Sequence, residues 1–246
     1  MAGSQTRMLD ADFAFINEEF FADRVMPQQL DELLSDGWRH FGTHFFRYNL
    51  GVYESEVRRV IPLRIRLSNF SPSKSQRRVL RQNGDAAVEI RPIEITHEST
   101  ALFEKHKRRF KSGVPESIYD FVEDSSLMPC EAFELDVRLD GRLLAATFFD
   151  VGDRAVSAIY GMFDPEFSTR SLGIFTMLKV IEFSIEHGKQ FYYQGYSYEG
   201  KSFYDYKKGF RGTECYDWKG NWTSSGLRKA ATTWEDLTAD DADDTD

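Results

Sequence analysis

Cysteine, histidine and proline are scarce in this sequence, and the first two scarcities bear directly on function. The chain has two cysteines, Cys130 and Cys215, far apart and outside any Cys-x-x-Cys or Cys/His ligand spacing. They give no sign of a disulfide framework or a zinc site, and both read as small buried hydrophobes in a reducing environment. The five histidines, His40, His44, His97, His106 and His187, are scattered without catalytic or ligand spacing and read as surface or helix-end residues. No metal or cofactor is therefore expected. A run of about 18 apolar residues is missing too, which excludes a transmembrane helix. Residues Met1 to Arg7 lack the apolar segment of a secretory signal, so a cytoplasmic location is expected. No internal repeat at a fixed period is found.

What the chain does have is apolar and aromatic mass. Hydrophobic residues make up 41% and aromatic residues 15% of its 246 positions, enough for a large folded core. The net charge of −9 argues against a polyanion partner until its distribution is considered. Between Glu56 and Lys111 stand fourteen Lys/Arg against six Asp/Glu, whereas Glu235 to Asp246 holds seven acidic residues and no basic one. An acidic tail over 226–246 is expected to be solvated and disordered. The basic segment is a candidate docking surface for a polyanion, or an ordinary solvated face.

Residues Met1 to Arg24 show no clean periodicity and read as a short helix or a draping arm. Pro27 opens a helix that Gly37 ends. Strands are predicted over His44–Arg47 and Val60–Leu67, the latter with Ile61, Leu63, Ile65 and Leu67 inward and Arg64 and Arg66 outward. Lys74–Gln82 reads as a basic helix stopped by Asn83-Gly84, Ala87–Ile93 as a strand, and Thr96–Lys111 as a helix capped by Thr96. A second short helix follows over Pro115–Phe121. Then come Phe133–Leu139, an Asp140-Gly141 turn and Leu143–Phe149, a hairpin, with a further strand over Ala155–Met162. A long apolar helix enters through Ser171-Leu172-Gly173 and ends at Gly188. A buried strand (Gln190–Tyr196), a short helix (Ser202–Gly209) and a last strand (Cys215–Trp218) complete the order. This is the order of an α/β acyltransferase fold of the GNAT type, a mixed sheet around a central helix. A small N-terminal α+β region precedes it. The start of the central helix is a natural anion site, because its free N–H groups and dipole favour negative charge; Arg170, Ser171 and Gly173 are the residues placed there. A CoA cradle normally carries more glycine than the single Gly173 of Thr169–Phe175.

Several strings in this order resemble the N-end-rule aminoacyl-tRNA–protein transferases, the eukaryotic arginyltransferases and bacterial aspartate/glutamate leucyltransferases. They are Gly37-Trp38-Arg39, Ile61-Pro62-Leu63-Arg64-Ile65 and Phe70-Ser71-Pro72-Ser73-Lys74-Ser75-Gln76-Arg77-Arg78-Val79. Downstream stand Phe163-Asp164-Pro165, Arg170-Ser171-Leu172-Gly173, Tyr193-Gln194-Gly195-Tyr196 and Tyr206-Lys207-Lys208-Gly209-Phe210-Arg211. The resemblance covers about Asp31 to Trp222. The cysteine pairs of the family's N-terminal region are not matched, since no cysteine precedes Cys130.

The resemblance implies transfer of leucine or arginine from its charged tRNA to the α-amino group of proteins that begin with an acidic residue. Charged tRNA is then a co-substrate and no cofactor is needed. It also implies site residues: Tyr196, Tyr206 and Lys207 for catalysis, and Lys74, Ser75, Gln76, Arg77, Arg78, Arg170, Ser171 and Gly173 for tRNA and substrate binding. Three segments are expected: an N-terminal region over 1–90, the GNAT-like catalytic domain over 91–225 and the acidic tail. A CoA-dependent N-acyltransferase and a non-catalytic tRNA- or degron-binding module remain alternatives on the sequence alone.

Overall fold

A computed structural model describes residues 14–110 and 113–224. The acidic tail expected over 226–246 lies outside the described residues. Near the N-terminus a three-stranded antiparallel sheet forms from β1 (Asn17–Phe21), β2 (Arg39–Phe41) and β3 (His44–Tyr48), with β3 in the middle. The stretch expected as a helix or arm is thus a strand in part. Its aromatic residues pair across the sheet: Phe20 stands opposite Phe45 and stacks on it at 4.9 Å, which offsets the lack of a local pattern. Helix α1 (Pro27–Ser35) buries Leu30 and Leu34 beneath this sheet.

The main sheet has nine strands. Strand β4 (Leu50–Tyr53) pairs with the start of β5 (Glu56–Arg66) as a hairpin. The path continues through β6 (Ala87–Pro92), β7 (Ala132–Leu139), β8 (Arg142–Val151), β9 (Ala155–Phe163), β10 (Phe191–Tyr198), β11 (Thr213–Tyr216) and β12 (Trp222–Thr223). Their order across the sheet is β12-β11-β5-β10-β9-β8-β7-β6, with one parallel pair, β9 beside β10. Helix α4 (Leu172–Glu186) makes the crossover between those two strands and packs on one face through Leu172, Phe175, Leu178 and Ile181. Helix α2 (Lys74–Gln82) lies against the start of α4. Helix α3 (His97–His106) covers the other face through Leu102 and Phe103. Phe148 and Phe149 of β8 are both fully buried, one in each core. The result is the mixed sheet around a central helix that the element order predicts.

Three expectations change. The main sheet runs across residue 90, because β5 sits between β10 and β11 and the first 90 residues supply one of its central strands. Helix α3 stops at His106 and continues as a 3₁₀ turn over Lys107–Arg109, and the helix expected over Pro115–Phe121 shrinks to a 3₁₀ turn over Ile118–Asp120. Arg64 is not outward. It is buried, with its Nε donating to Glu214 at 2.8 Å and its guanidinium lying over Phe191 and Trp222 at 4.0 and 4.4 Å. Arg66 reaches the same carboxylate at 2.7 Å, so Glu214 holds β5 and β11 together by charge as well as by backbone pairing. Replacing Glu214 by Ala strands the Arg64 charge. A loss of about 3 kcal/mol in unfolding free energy is expected, read from urea denaturation with an unchanged m-value.

Candidate active site

The basic string folds as expected, as helix α2. Ser73 caps it: Gln76 N–H donates to Ser73 Oγ at 3.2 Å, and Ser73 N–H donates to Gln76 Oε1 at 2.9 Å. That reciprocal cap turns Gln76 inward, to 2% exposure, so it holds the helix start and does not present itself to a ligand as expected. Lys74, Ser75, Arg77 and Arg78 lie on the same helix, with Lys74, Ser75 and the two arginines toward its outer side. Arg77 donates to the Pro72 carbonyl at 2.6 Å, and Ser75 Oγ lies 2.9 Å from Ser73 Oγ.

The start of α4 lies beside α2. Gln82 and Asn83 donate to the Thr169 and Arg170 carbonyls, each at 2.9 Å. Ser171 enters α4 in the left-handed region with φ 53° and makes no side-chain cap. Gly173 faces the Phe163 ring with ordinary room for a side chain, so close packing does not require a glycine there. Arg170 forks onto both oxygens of Asp85 at 2.8 Å, and this ion pair holds the Asp85 carboxyl below its usual range. The guanidinium expected as an anion donor therefore has an anion of its own. Lys74, Ser75, Arg77, Arg78, Ser171 and Gly173 belong to the two helices that meet here.

The second group of expected residues collects where the parallel strands part. Strands β9 and β10 pair only from Phe191↔Ala155 to Tyr193↔Ser157. Beyond that β10 follows β5, with a bulge between Tyr193 and Gly195, and β9 follows β8. Aromatic side chains gather on this end of β10 and on the 3₁₀ turn that follows it. Tyr196 donates its hydroxyl to the Gly37 carbonyl at 2.6 Å and meets the Tyr48 ring at 5.2 Å. Phe203 meets Tyr206 at 6.3 Å, and Tyr198 meets Tyr204 at 6.0 Å. Lys207, on the 3₁₀ turn Phe203–Gly209, donates to the Tyr196 carbonyl at 3.2 Å. Burial, reinforced by the nearby Arg39 charge, lowers its pKa to about 7. Burial acts the other way on the phenols, raising Tyr206 to about 12 and Tyr196 further still. At neutral pH the tyrosines are hydrogen-bond donors, while Lys207 is the group poised to exchange a proton.

Sequence reasoning missed Arg39. It comes from the three-residue strand β2 and enters the same opening. Its Nη2 donates to the Ala158 and Ile159 carbonyls of β9 at 2.6 and 3.2 Å. Its Nη1 lies against Gly195, where an added Cβ would sit only 1.8 Å away. Gly195 also has φ +89°, so both space and backbone require glycine there. Gly37-Trp38-Arg39 and, 156 positions after Arg39, Gly195-Tyr196 are the strings in the sequence that hold the two sides of this contact.

One histidine differs from expectation: His40 is buried away from any helix end, whereas His106, also buried, ends α3. His40 Nδ1 faces the Gly42 carbonyl and Nε2 faces Asp150 Oδ2, both at 2.8 Å. Acceptors on both sides favour the protonated, positively charged ring. Burial opposes that charge, but Asp150 and Gly42 outweigh it and raise the pKa. Cys130 joins them: its sulfur, the His40 nitrogen and an Asp150 oxygen lie within 4.8 Å of one another and have the donor types of a metal site. The ion pair satisfies His40 without one.

A raised folded pKa stabilises fully below the unfolded value of about 6.5 and loses that contribution as pH rises through the folded value. His40→Gln should therefore cost about 3 kcal/mol at pH 6, by leaving the Asp150 carboxylate without its partner. Chemical denaturation across pH should show the upward-pH loss in the parent and not in the variant.

Known proteins are similar to this chain in sequence. Residues 5–78 match the family model described as "Arginine-tRNA-protein transferase, N terminus", and residues 98–217 match its C-terminal counterpart. The aspartate/glutamate leucyltransferase of Marinobacter nauticus is 29% identical over 190 residues, covering 76% of this chain and 77% of its own. That of Leptospira interrogans is 25% identical over 189 residues, covering 72% and 69%. Among solved structures, FemX aligns with a TM-score of 0.49 at 12% identity over 81% of this chain and 69% of its own. L-PGS from Bacillus licheniformis aligns at 0.42 and 13%, over 75% of this chain and 55% of its own. The two matched segments contain the first half of the basic helix, Lys74 to Arg78, together with Arg39, Tyr196 and Lys207, and the chain belongs to the arginine-tRNA-protein transferase family of aminoacyl-tRNA–protein transferases.

Proposed function

We propose that the chain transfers an amino acid, leucine by preference over arginine, from its charged tRNA to the α-amino group of proteins that begin with Asp or Glu. The reaction would mark those proteins for degradation in an N-degron pathway of the cytoplasm and use no cofactor beyond charged tRNA. The names of the curated relatives favour leucine and acidic acceptors. The observation that carries the reading is the place of Lys207, bonded to the Tyr196 carbonyl where β9 and β10 part and next to Arg39 on Gly195, where burial lowers its pKa. The incoming terminus is an ammonium and cannot attack until it loses a proton. Neutral Lys207 accepts that proton, and the freed amine nitrogen attacks the ester carbonyl. The carbon–oxygen bond to the ribose breaks, and the second amine proton passes to the departing oxygen. Holding amine and ester together supplies much of the remaining acceleration. The cations of α2 suit tRNA phosphates. The CoA alternative gains no support from a helix start whose arginine is paired with Asp85.

Radiolabelled leucine or arginine on tRNA, offered to reporters beginning with Asp, Glu or Ala, tests the reading. Incorporation of leucine on acidic starts is expected. Changing Arg77 and Arg78 to Ala should weaken charged-tRNA binding about tenfold and flatten its log–log salt dependence by about 1.5. Absence of transfer from either donor by folded protein would overturn the proposal in favour of a CoA enzyme or a binding module.

Lys207 adds a pH signature. The rate constant kcat/KM should rise with pH through about 7, as the ammonium form is lost. Lys207→Met should lower kcat about a hundredfold or more and remove that rise. A profile unchanged in the variant would show that another group takes the proton.

A further inference from the structure

Arg39 is a guanidinium with no carboxylate to pair with. The carboxylate whose charge acts on it, Asp150, holds His40 through Oδ2 and makes no ion pair with Arg39. No other ion pair reaches Arg39 among the described residues, although the residue is half-buried. Two of its donors are fixed on the Ala158 and Ile159 carbonyls, which leaves the Nη1 and Nε edge uncommitted. An enclosed charge without an anion is unfavourable, and an arginine fork matches a carboxylate better than any other partner of its size.

Its position adds the rest. Arg39 rests on Gly195 and Lys207 donates to the carbonyl of Tyr196, so two cations hold consecutive residues of β10. In an N-terminal Asp or Glu, the amino group and the side-chain carboxylate are separated by only a few bonds. One such residue offers its amine to Lys207 and its carboxylate to the neighbouring guanidinium.

We infer that Arg39 is the specificity-determining residue that receives the side-chain carboxylate of the acceptor's first residue, in the opening between β9 and β10. This rests on the proposed transfer reaction and assigns its acceptor preference to one group. A neutral first residue would leave Arg39 unpaired, so discrimination arises from an unsatisfied charge in the site as much as from the bonds an acidic residue makes there.

The test uses the intact chain and two pairs of reporters, Asp against Asn and Glu against Gln, which match in size and differ in charge. Transfer is measured at saturating charged tRNA, and binding of short peptides with the same starts is measured by calorimetry without tRNA. Arg39→Gln should weaken binding of Asp- and Glu-starting peptides about a hundredfold and remove the acid-over-amide preference in transfer, whatever common change in rate follows from the altered charge beside Lys207, and leave the KM for charged tRNA unchanged. Arg39→Lys keeps the charge without the fork and should fall between, which retains the test if the Gln variant unfolds. An acid-over-amide preference that survives both substitutions overturns the assignment. So does a rise in the KM for charged tRNA with acceptor kinetics untouched, which would place a phosphate at Arg39. If the parent transfers nothing but its peptide binding shows the Arg39-dependent preference, the transfer reading fails and the assignment stands. If the parent transfers leucine but binds Asp and Asn starts equally, the assignment fails and the reaction stands.

Discussion

The parting of β9 from β10 is the constraint on which the rest of the site depends. Two parallel strands would ordinarily continue their ladder, and here it lasts only from Phe191↔Ala155 to Tyr193↔Ser157. Gly195 turns β10 away in a conformation that side chains disfavour, and Arg39 occupies the gap by bonding the β9 carbonyls that β10 no longer meets. Those carbonyls would otherwise be unpaired polar groups in a sheet interior. A charged side chain has taken the place of a strand's N–H groups, and in doing so it has brought a guanidinium to the centre of the opening. Lys207 feels that charge, and together with burial it puts the lysine near neutrality. In the proposed reaction, one structural solution supplies both the binding group and the electrostatic setting of the base.

Much of the fold was legible because its signals are local. The Ser73–Gln76 cap, the Asp140-Gly141 turn and the apolar run of α4 each lie within a few residues, and the structure contains all three. The same local view misjudged Gln76 as a ligand residue, since a capping box and a recognition string share the same letters. It also missed what depends on distance along the chain. Arg64 reads as an outward strand residue until Glu214 arrives 150 positions later. His40 reads as a stray surface histidine until Asp150, 110 positions away, meets it in the core. Arg39 belongs to this class: three residues of strand carry no pattern, and its partners come from β9 and β10.

Charge is partitioned by purpose across an acidic chain. Arg64, Arg66, Arg170 and His40 are matched with carboxylates and hold elements together. The α2 cations lie toward solvent, where phosphates are the natural partners. Among the described residues, no carboxylate pairs with Arg39 or Lys207 in the opening, which distinguishes the cations of the site from those of the scaffold. No helix among those residues is long and apolar enough to cross a membrane.

The decisive measurement is a crystal structure with a stable analogue of the charged tRNA end, leucine joined by an amide to the 3′ position of adenosine. Density is expected in the opening between β9 and β10, with the leucyl carbonyl near Lys207, the adenosine among the surrounding tyrosines, and Arg39 left for the acceptor. Density at the start of α4 by Arg170, with the opening empty, would contradict this placement of the reaction.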